Sequence, residues 1–250
     1  MDRGMIAFWY DLPDSGRDEY LSWLHEVHLP EVLAGREDLL WAAHFRNEGG
    51  GERFHEVVKD MMRSGKGEVE GGHDFLLLIG AKSPHSFFNP NFPQLKERQS
   101  GETKEMAGLR EGLNLCVFSE EARVDGPDAA LRPAGTAPGN YIQMGNFNVA
   151  KPDDDHVLGG WYAQVRLPFM EKMPGCIGAR KLTAAAGWGK HSILYEFASS
   201  RARDDHFIAH EEEGFDENSW TARVHEFVIH APCSPFVGPR LWPPVENKGS

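Results

Sequence analysis

The chain repeats one order of predicted elements, and this repetition constrains its fold more than any other feature of the sequence. Trp23 to Pro30 reads WLHEVHLP and Trp161 to Pro168 reads WYAQVRLP, so four of eight positions are identical at an offset of 138 residues. A match of this length can arise by chance, but each copy follows a strand candidate, Ile6 to Leu12 in the first half and Tyr141 to Ala150 in the second. Self-similarity at a fixed offset is typical of a chain built from two related units.

The elements after each helix strengthen this interpretation. Both halves continue with two strand candidates, a polar stretch compatible with a helix, and a closing strand candidate. In the first half these are Leu39 to Arg46, Asp74 to Ala81, Phe92 to Glu111 and Leu113 to Phe118. In the second half they are Cys176 to Leu182, His191 to Ala198, Arg203 to Asp216 and Ala222 to Ile229. The order β-α-β-β-α-β in each half predicts a ferredoxin-like unit, and hence an α+β fold.

Glycine and proline divide the chain further. The first unit, 1–122, contains a glycine-rich insertion at 47–72 that is typical of a hairpin or flap holding one short helix. Residues 123–140 carry three Pro and three Gly, which predicts a linker. The second unit covers 141–231. The tail, 232–250, is too rich in proline for a helix, so we expect an extended arm that packs over a neighbouring unit.

The composition excludes several classes of protein. The longest uninterrupted apolar run, Phe75 to Ala81, has seven residues, far fewer than a membrane-spanning helix needs. The 38 acidic side chains outnumber the 26 basic ones, which opposes nucleic-acid binding because phosphate contacts need clustered Lys and Arg. Cys116, Cys176 and Cys233 include no CxxC pair, which argues against a disulfide framework and a structural zinc site. We therefore expect a soluble, cytoplasmic protein with no nucleic-acid or membrane partner.

Two motifs resemble a known superfamily. The first helix carries W-x-x-E-x-H-x-P between Trp23 and Pro30, and the second half carries P-G-x-x-x-A-R from Pro174 to Arg180. Together with the order of elements, these motifs resemble the dimeric α+β barrel superfamily, and its EthD-like branch in particular. Its members usually pair two ferredoxin-like units sheet to sheet to close a barrel. The resemblance implies that this chain forms such an α+β barrel from two tandem units, and it also allows a homodimer.

The same resemblance leaves the reaction open. Members of the superfamily include cofactor-free monooxygenases, polyketide cyclases, lactone isomerases, dehydratases and haem enzymes such as chlorite dismutase. The fold therefore implies a place for a site but no particular chemistry. That place generally lies between the sheet and the helices of a unit.

Two histidines on the first helix are candidates for acid–base chemistry. At 100° per residue, His28 falls within the apolar arc that contains Leu24 and Val27, and His25 lies at the edge of that arc. Imidazoles titrate near neutral pH, so either could exchange a proton with a substrate held under the helix. The resemblance also implies that this helix histidine lines the cavity. A structural alternative, with His28 bonded to a backbone carbonyl and His25 on the surface, stays open.

Further candidates lie on the strands. Tyr10 and Trp9 face opposite sides of the first strand, and alternation alone does not show which side meets the helices. Tyr10 is a candidate donor to a developing oxyanion. Trp9 and Trp23 are candidate walls of an apolar pocket, and His44 has room beside the small Ala42. Each of these side chains could instead belong to the core.

The second helix carries Arg166 at the position of His28, and Ala163 at the position of His25. Arginine keeps its proton at ordinary pH, so this half cannot repeat the same acid–base chemistry. A buried guanidinium needs an anionic partner, which could be Glu196 on the third strand or a substrate carboxylate. The salt bridge is the favoured interpretation. We therefore predict the active site in the first half and keep Arg166 as a candidate substrate-binding residue.

The sequence predicts no metal and no organic cofactor. His206 and His210 have i, i+4 spacing, but no third ligand accompanies them at a telling interval, and their surroundings are acidic. The resemblance implies that a haem would take its axial histidine from the second half, whose first helix has none, so His206 or His210 would have to serve. The chain also lacks GxSxG, GxGxxG after a strand, and GxxxxGK[ST], which argues against serine-hydrolase, dinucleotide and P-loop chemistry.

These observations predict a cofactor-independent lyase, dehydratase or isomerase that acts on a small hydrophobic or aromatic carbonyl compound. In this hypothesis His28 removes a proton next to the carbonyl, and Tyr10 or His25 supports the oxygen. Two alternatives stay open: a cofactor-free monooxygenase of the same fold, and a non-catalytic binder of a pathway intermediate.

Overall fold

The computed structural model describes residues 1–58, 63–64, 72–132, 138–213, 219–232 and 234–245. Its strands are β1 (Gly4–Asp11), β2 (Leu39–Arg46), β3 (Arg63–Ser64), β4 (Phe75–Ala81), β5 (Glu111–Asp125), β6 (Tyr141–Val149), β7 (Cys176–Ala186), β8 (His191–Phe197), β9 (Val228–His230) and β10 (Phe236–Trp242). Its α-helices are α1 (Arg17–Ser22), α2 (Leu29–Ala34), α3 (Glu52–Val58), α4 (Phe92–Arg98), α5 (Gly101–Gly108), α6 (Asp154–Trp161), α7 (Leu167–Met170), α8 (Ser200–Ala202), α9 (Ala209–Glu213) and α10 (Trp220–Phe227). Within these ranges no helix is long and apolar enough to cross a membrane.

Eight of the strands close an antiparallel barrel. The order around it is β10-β2-β4-β1-β5-β7-β8-β6, and β6 pairs with β10 to complete the circle. The first unit contributes the sheet β2-β4-β1-β5, and the second contributes β7-β8-β6, while β10 comes from the tail after the second unit and completes its sheet. The predicted α+β barrel of two ferredoxin-like units is therefore confirmed. The short strands β9 and β3 extend the sheet beyond β6.

Two strands join the units by pairing with both of them. β5 pairs with β1 over its first part and with β7 over its second part. β10 pairs with β6 near Phe236 and with β2 at Arg240 and Trp242. β5 extends to Asp125, within the stretch expected as a linker, and β10 lies within the stretch expected as an extended arm. Both strands cover backbone groups that the edges of β2 and β7 would otherwise leave unpaired.

The last helix of the second unit differs from the expectation. The sequence predicts a strand over Ala222 to Ile229, but α10 occupies most of this segment and β9 begins only at Val228. The Ser219 hydroxyl accepts a hydrogen bond from the Ala222 amide and so caps α10. This prediction is wrong because the cap and the burial of Val224 outweigh the strand preference of the segment.

Three clusters of buried side chains form the core. One fills the barrel interior between the two sheets and includes Trp9 and Phe118. Another lies between the sheet and the helices of the first unit and includes Tyr10 and Trp23. The third has the same place in the second unit, around Trp161. The alternation along β1 is thereby resolved, since Tyr10 faces the helices and Trp9 faces the barrel interior.

Candidate functional site

Each unit has a π-helical turn in its first helical segment, which ends two residues before a proline. In the first unit the Leu29 amide donates to the Leu24 carbonyl, five residues back, and Pro30 follows. The second unit repeats this arrangement. Proline lacks the amide hydrogen that the next α-helical bond would need, so the wider turn fits the helix there. The two turns end with His28 and Arg166, the residues whose chemistry differs between the units.

A chain of hydrogen bonds in the first unit joins three of the predicted site residues. His25 Nε2 lies 2.8 Å from His44 Nδ1, and His44 Nε2 lies 2.8 Å from Tyr10 Oη. The Tyr20 hydroxyl donates to Tyr10 Oη at 3.1 Å, and Arg110 Nε donates to Tyr20 Oη at 2.7 Å. Tyr10, Tyr20 and His44 are buried, whereas the two ends of the chain are partly exposed. The structure thus unites Tyr10, His25 and His44 and adds two residues that the sequence analysis missed.

Burial sets the charge of this hydrogen-bonded chain. It lowers the pKa of His25 to about 4 and the pKa of His44 well below its usual range. It also raises the pKa of the Tyr10 hydroxyl well above its usual value. These two imidazoles and this phenol are therefore neutral at pH 7, and the guanidinium of Arg110 supplies the positive charge.

The other candidates of the first unit lie outside this chain. The His28 ring stacks on the buried Trp23 ring with centroids 4.5 Å apart, and burial lowers the pKa of His28 to about 4. Trp9 lies in the barrel interior, where its ring meets Phe118 edge-on at 6.4 Å. Among the described residues, no hydrogen bond links His28 or Trp9 to Tyr10.

Arg166 forms a buried ion pair, but with a different partner from the one predicted. Its Nη1 donates to Glu211 Oε1 at 2.5 Å. Glu196 instead accepts hydrogen bonds from Arg132 and Arg180. Adjacent residues of a strand face opposite sides, and it is Tyr195 that faces Arg166, with its ring centroid 5.9 Å from the guanidinium carbon. The prediction of Glu196 as the partner is therefore wrong.

A cavity of about 80 Å³ lies beside this ion pair, between the sheet and the helices of the second unit. Most of its wall is aromatic or aliphatic, and includes Trp161 and Phe207. Its polar wall residues are Gln143, Arg166, Glu211, His225 and His230. An apolar cavity with a few polar groups is the usual form of a small-molecule site. Of the residues predicted for the site, Arg166 lines this cavity.

One glycine of the second unit borders the cavity. Gly4 pairs with Ala81 at the end of β4, and Tyr141 pairs with Phe197 at the end of β8. Four residues further along each strand lie Phe8 and Gly145, which therefore hold equivalent positions. Phe8 is a buried core residue of the first unit, whereas Gly145 lines the cavity of the second.

The ion pair presents one free donor in this region. Arg166 Nε is buried and has no hydrogen-bond partner among the described residues. The guanidinium carbon lies 4.7 Å from the ring centroid of Trp161 and 5.2 Å from that of Phe207. Burial opposes ionisation, but mutual attraction lowers the pKa of Glu211 and raises the pKa of Arg166. The pair therefore stays ionised, with no net charge.

His225 and Glu211 are two of the polar cavity residues that sequence reasoning missed, together with Gln143 and His230. Burial lowers the pKa of His225, so its imidazole is neutral at pH 7. The residue was missed because the segment around it was assigned to a strand. Glu211 belongs to an acidic run that indicates a solvated helix face. Its spacing of four residues from the buried Phe207 is the signal that could have identified it as inward-facing.

The two histidines considered as metal ligands, His206 and His210, line a surface groove. The His210 ring stacks on Phe169 with centroids 3.7 Å apart. Across the described ranges, no three or more His, Cys, Asp or Glu side chains come together in a way that could hold a metal ion.

Comparison with solved structures places this geometry in a known fold. A protein from Lactobacillus acidophilus NCFM, provisionally described as a monooxygenase, has a TM-score of 0.54 at 11% identity, over 96% of this chain and 94% of that one. An anthrone oxidase-like protein has a TM-score of 0.53 at 12% identity, over 96% and 90% of the two chains. A dye-decolorizing peroxidase from Bacteroides thetaiotaomicron VPI-5482 has a TM-score of 0.51 at 13% identity, over 96% and 93%.

Sequence comparison adds no closer relationship. No protein-family profile matches the chain, and no curated protein matches it in sequence. At 11–13% identity, structural likeness establishes the fold and leaves the reaction open. The chain thus has the fold of the dimeric α+β barrel proteins.

Proposed function

We propose that this protein is an enzyme that acts on a small carbonyl compound by acid–base chemistry, with the cavity of the second unit as its substrate site. The observation that carries this proposal is the buried Nε of Arg166, a hydrogen-bond donor without an acceptor among the described residues, on a side chain that lines an apolar cavity. An unpaired buried donor is costly, so a carbonyl oxygen bound there would be strongly favoured. The proposal moves the active site from the first unit, where the sequence predicts it, to the second.

The charge of the site favours a neutral substrate. Glu211 already compensates the charge of Arg166, so a substrate carboxylate would leave an unbalanced negative charge in the buried cavity. A ketone or aldehyde oxygen needs only a donor, which Arg166 Nε provides. Substrate binding is therefore expected to discriminate against the carboxylic acids that resemble the preferred carbonyl compounds.

The chemistry follows from the two groups at the cavity wall. Arg166 Nε would donate to the carbonyl oxygen and stabilise the negative charge that develops on it. His225 is neutral at pH 7 and would remove a proton from the adjacent carbon. An enolate formed in this way leads to isomerase, lyase or dehydratase products. This assigns to His225 the general-base role that the sequence analysis gives to His28.

Cavity size limits the substrate. A buried cavity of about 150 Å³ holds benzene, whereas this one measures about 80 Å³. A small aliphatic carbonyl compound therefore fits better than an aromatic one, which would require Phe54 or Val224 in the cavity wall to move.

A haem does not fit this site. Some enzymes with this fold hold haem, but pockets for molecules of drug size already need roughly 300–1,000 Å³. The cavity of about 80 Å³ lies far below that range. No step of the proposed chemistry therefore involves a haem.

A cofactor-free monooxygenase is the second candidate function. Structural neighbours described as a monooxygenase and as anthrone oxidase-like favour it, and Trp161 beside the cavity offers an oxidisable side chain. Consumption of oxygen in the presence of a bound carbonyl or phenol compound would support this candidate over acid–base chemistry.

Membership of the EthD-like branch and descent from a duplicated unit also belong to our proposal. They are supported by the motif from Trp to Pro and by the π turn that both units contain.

Exchange of α-protons tests the main proposal without a known substrate. Acetone, butanone and cyclopentanone are incubated with the protein in D₂O, and the loss of the α-proton signals is followed by NMR. We expect exchange well above the buffer rate, and at least tenfold slower exchange in Gly145→Phe, because the first unit accommodates phenylalanine at the equivalent position. Gly101→Ala is the control, since an added Cβ there meets no atom within 4 Å.

The outcomes separate the alternatives. Binding without exchange or oxygen consumption would favour a non-catalytic binder. His225→Gln should retain ketone binding and lose exchange. Exchange that stays unchanged in a folded Gly145→Phe protein would rule out the cavity as the substrate site.

A further inference from the structure

Arg110 holds a positive charge for which the first unit offers no carboxylate among the described residues. The guanidinium carbon lies 5.1 Å from the ring centroid of Tyr10, 5.6 Å from that of Tyr20 and 5.7 Å from that of Phe8. Its hydrogen-bond acceptor is the Tyr20 hydroxyl. The chain of hydrogen bonds therefore begins at a cation that can only donate, and Tyr20 Oη is the oxygen that accepts from it.

The guanidinium also sets the direction of the whole hydrogen-bonded chain. Arginine only donates, so Tyr20 Oη accepts from Arg110 and gives its own hydrogen to Tyr10 Oη. Tyr10 then donates to His44 Nε2, which places the proton of the neutral His44 on Nδ1. His44 Nδ1–H donates to His25 Nε2. The proton of neutral His25 must therefore sit on Nδ1, at the partly exposed end of the chain.

We propose that the first unit contains a second acid–base site, in which His25 Nδ1 delivers a proton to an oxyanion of a bound ligand. In this site Tyr20, Tyr10 and His44 are positioning residues that fix the tautomer of His25 and replace its proton. The site lies in a different unit from the cavity, so this proposal can be tested independently of the proposed function.

Protons and charge balance along the chain. As His25 Nδ1 gives its proton to the ligand, His25 Nε2 takes a proton from His44 Nδ1, and His44 Nε2 takes one from Tyr10. Tyr10 takes its replacement from Tyr20. The ligand gains one proton and loses its negative charge, which appears on Tyr20 Oη beside the guanidinium of Arg110. His25 and His44 then carry their protons on Nε2, so the site resets when solvent protonates His25 Nδ1 and the protons move back along the chain to Tyr20.

The donor at the far end defines the chemical class of the ligand. The proton comes in the end from a tyrosine, whose ordinary pKa is about 10, so the acceptor must be an oxyanion of comparable or greater basicity. An enolate, a phenolate or an alkoxide meets this requirement, whereas a carboxylate does not. Trp242 of β10 stacks on His25 with centroids 6.4 Å apart, and offers an apolar surface for a planar ligand.

Neighbouring titratable groups leave this arrangement undisturbed. His28 is the other imidazole close to Arg110, and burial together with the charge of Arg110 lowers its pKa to about 4. It therefore stays neutral at pH 7, stacked on Trp23. Among the described residues, the cation in contact with Tyr20 Oη is therefore Arg110.

Nitrogen-15 NMR of the histidine rings tests the relay in the whole protein. At pH 7 we expect both His25 and His44 to carry their proton on Nδ1. In Tyr10→Phe, His44 Nε2 loses its donor, so both rings should change to a mixture of tautomers. Tyr141→Phe is the matched control, because it removes a buried tyrosine hydroxyl from the second unit and should leave both rings unchanged.

A stable oxyanion tests the ligand site. 4-Nitrophenolate at pH 8 accepts a hydrogen bond, and it should shift the His25 Nδ1 signal in the wild-type protein and in Gly145→Phe alike. In His25→Phe, 4-nitrophenolate should no longer shift the NMR signals of the residues around position 25. A proton on Nε2 of either ring in the wild type, unchanged tautomers in Tyr10→Phe, or a His25 signal indifferent to 4-nitrophenolate would each overturn the proposal.

Discussion

Phe8 and Gly145 occupy the same position on the first strands of the two units, and they differ by a whole benzyl group. In the first unit Phe8 packs between the sheet and the helices, with its ring 5.9 Å from that of Phe92. In the second unit the hydrogen of Gly145 borders the cavity beside Arg166. The two units therefore differ in their interiors. The first packs Phe8 and a chain of hydrogen bonds between its sheet and helices, whereas the second has a cavity there.

Removal of the Phe8 ring should destabilise the first unit. Phe8→Ala creates a cavity in close-packed core, and we expect a loss of about 3–5 kcal/mol in the free energy of unfolding. Urea denaturation followed by circular dichroism measures it. Phe88→Ala is the control, because Phe88 is 39% exposed and should cost much less. Equal effects of the two substitutions would contradict the role given to Phe8.

Breaking the buried ion pair between Arg166 and Glu211 should lower the free energy of unfolding by about as much as Phe8→Ala does. In Glu211→Gln the guanidinium of Arg166 remains buried without its counter-charge, which typically costs about 3–5 kcal/mol. The double variant Arg166→Met/Glu211→Gln removes the isolated charge and should recover much of the loss. Thermal and urea unfolding of the two single variants and the double variant measure the coupling. Additive effects would show that the two side chains act independently.

The second consequence of Glu211→Gln concerns ligand charge. With the carboxylate gone, the cavity has a net positive charge at Arg166, so small carboxylates should bind more tightly than the corresponding ketones. Calorimetric titration with butanoate and butanone compares the two ligands in the wild-type and variant proteins. Retention of the wild-type preference would argue against Arg166 as the carbonyl-binding group.

Stability should fall as the pH decreases from about 6.5 towards 4. Burial lowers the pKa of His25 and of His28 from 6.5 to about 4, so the unfolded chain binds protons at these sites more readily than the folded protein does. The stabilisation is complete above pH 6.5 and is lost as the pH falls, by up to about 1.4 kcal/mol per pH unit for each group. Urea unfolding at several pH values measures the slope.

A variant isolates the contribution of one histidine to this slope. His28→Phe keeps an aromatic ring against Trp23 but removes one titrating group. Its stability should therefore depend less steeply on pH over the same range, while His25→Phe and His28→Phe together should flatten the profile further. An unchanged slope in His28→Phe would mean that its pKa is similar in the folded and unfolded states.

The contact of β10 with β2 leaves no room for a side chain at Gly238. A Cβ there would lie 1.8 Å from the Arg46 carbonyl oxygen, so Gly238→Ala must displace backbone. We expect a loss of about 1–3 kcal/mol or more, measured by thermal unfolding, with Gly101→Ala unaffected. A fully stable Gly238→Ala protein would contradict closure of the barrel by β10.

The closing strand also shows where sequence patterns stop being informative. The tail around Pro239 has the composition of an extended arm, and an extended segment is compatible with a strand as well. Its role depends on the edges of β2 and β6, which come together only in the closed barrel. The same holds for Tyr10 and Trp9, because alternation separates two faces of a strand without indicating which one meets the helices.

The candidate site was predictable only where its chemistry lies within one element. Alignment of the two first helices shows that His28 is replaced by Arg166 in the second unit. Tyr10, His25 and His44 are also recognisable as candidates, each from its own element. The hydrogen bonds of the chain from His25 to Arg110 join residues up to 90 positions apart, and no local period records such contacts. His225 was not identified because its segment was predicted as a strand, whereas it forms a capped helix.

By itself, the sequence determined the α+β class, the two ferredoxin-like units and the order of elements as far as α10, because strand and helix periodicities are local properties. Tertiary structure decided that a cavity lies beside Arg166, which carboxylate pairs with Arg166 and which side chains form hydrogen bonds with His25 and His44. The physical reason is that free volume, ion pairing and hydrogen-bond direction depend on side chains that are distant in sequence and become neighbours only when the barrel closes.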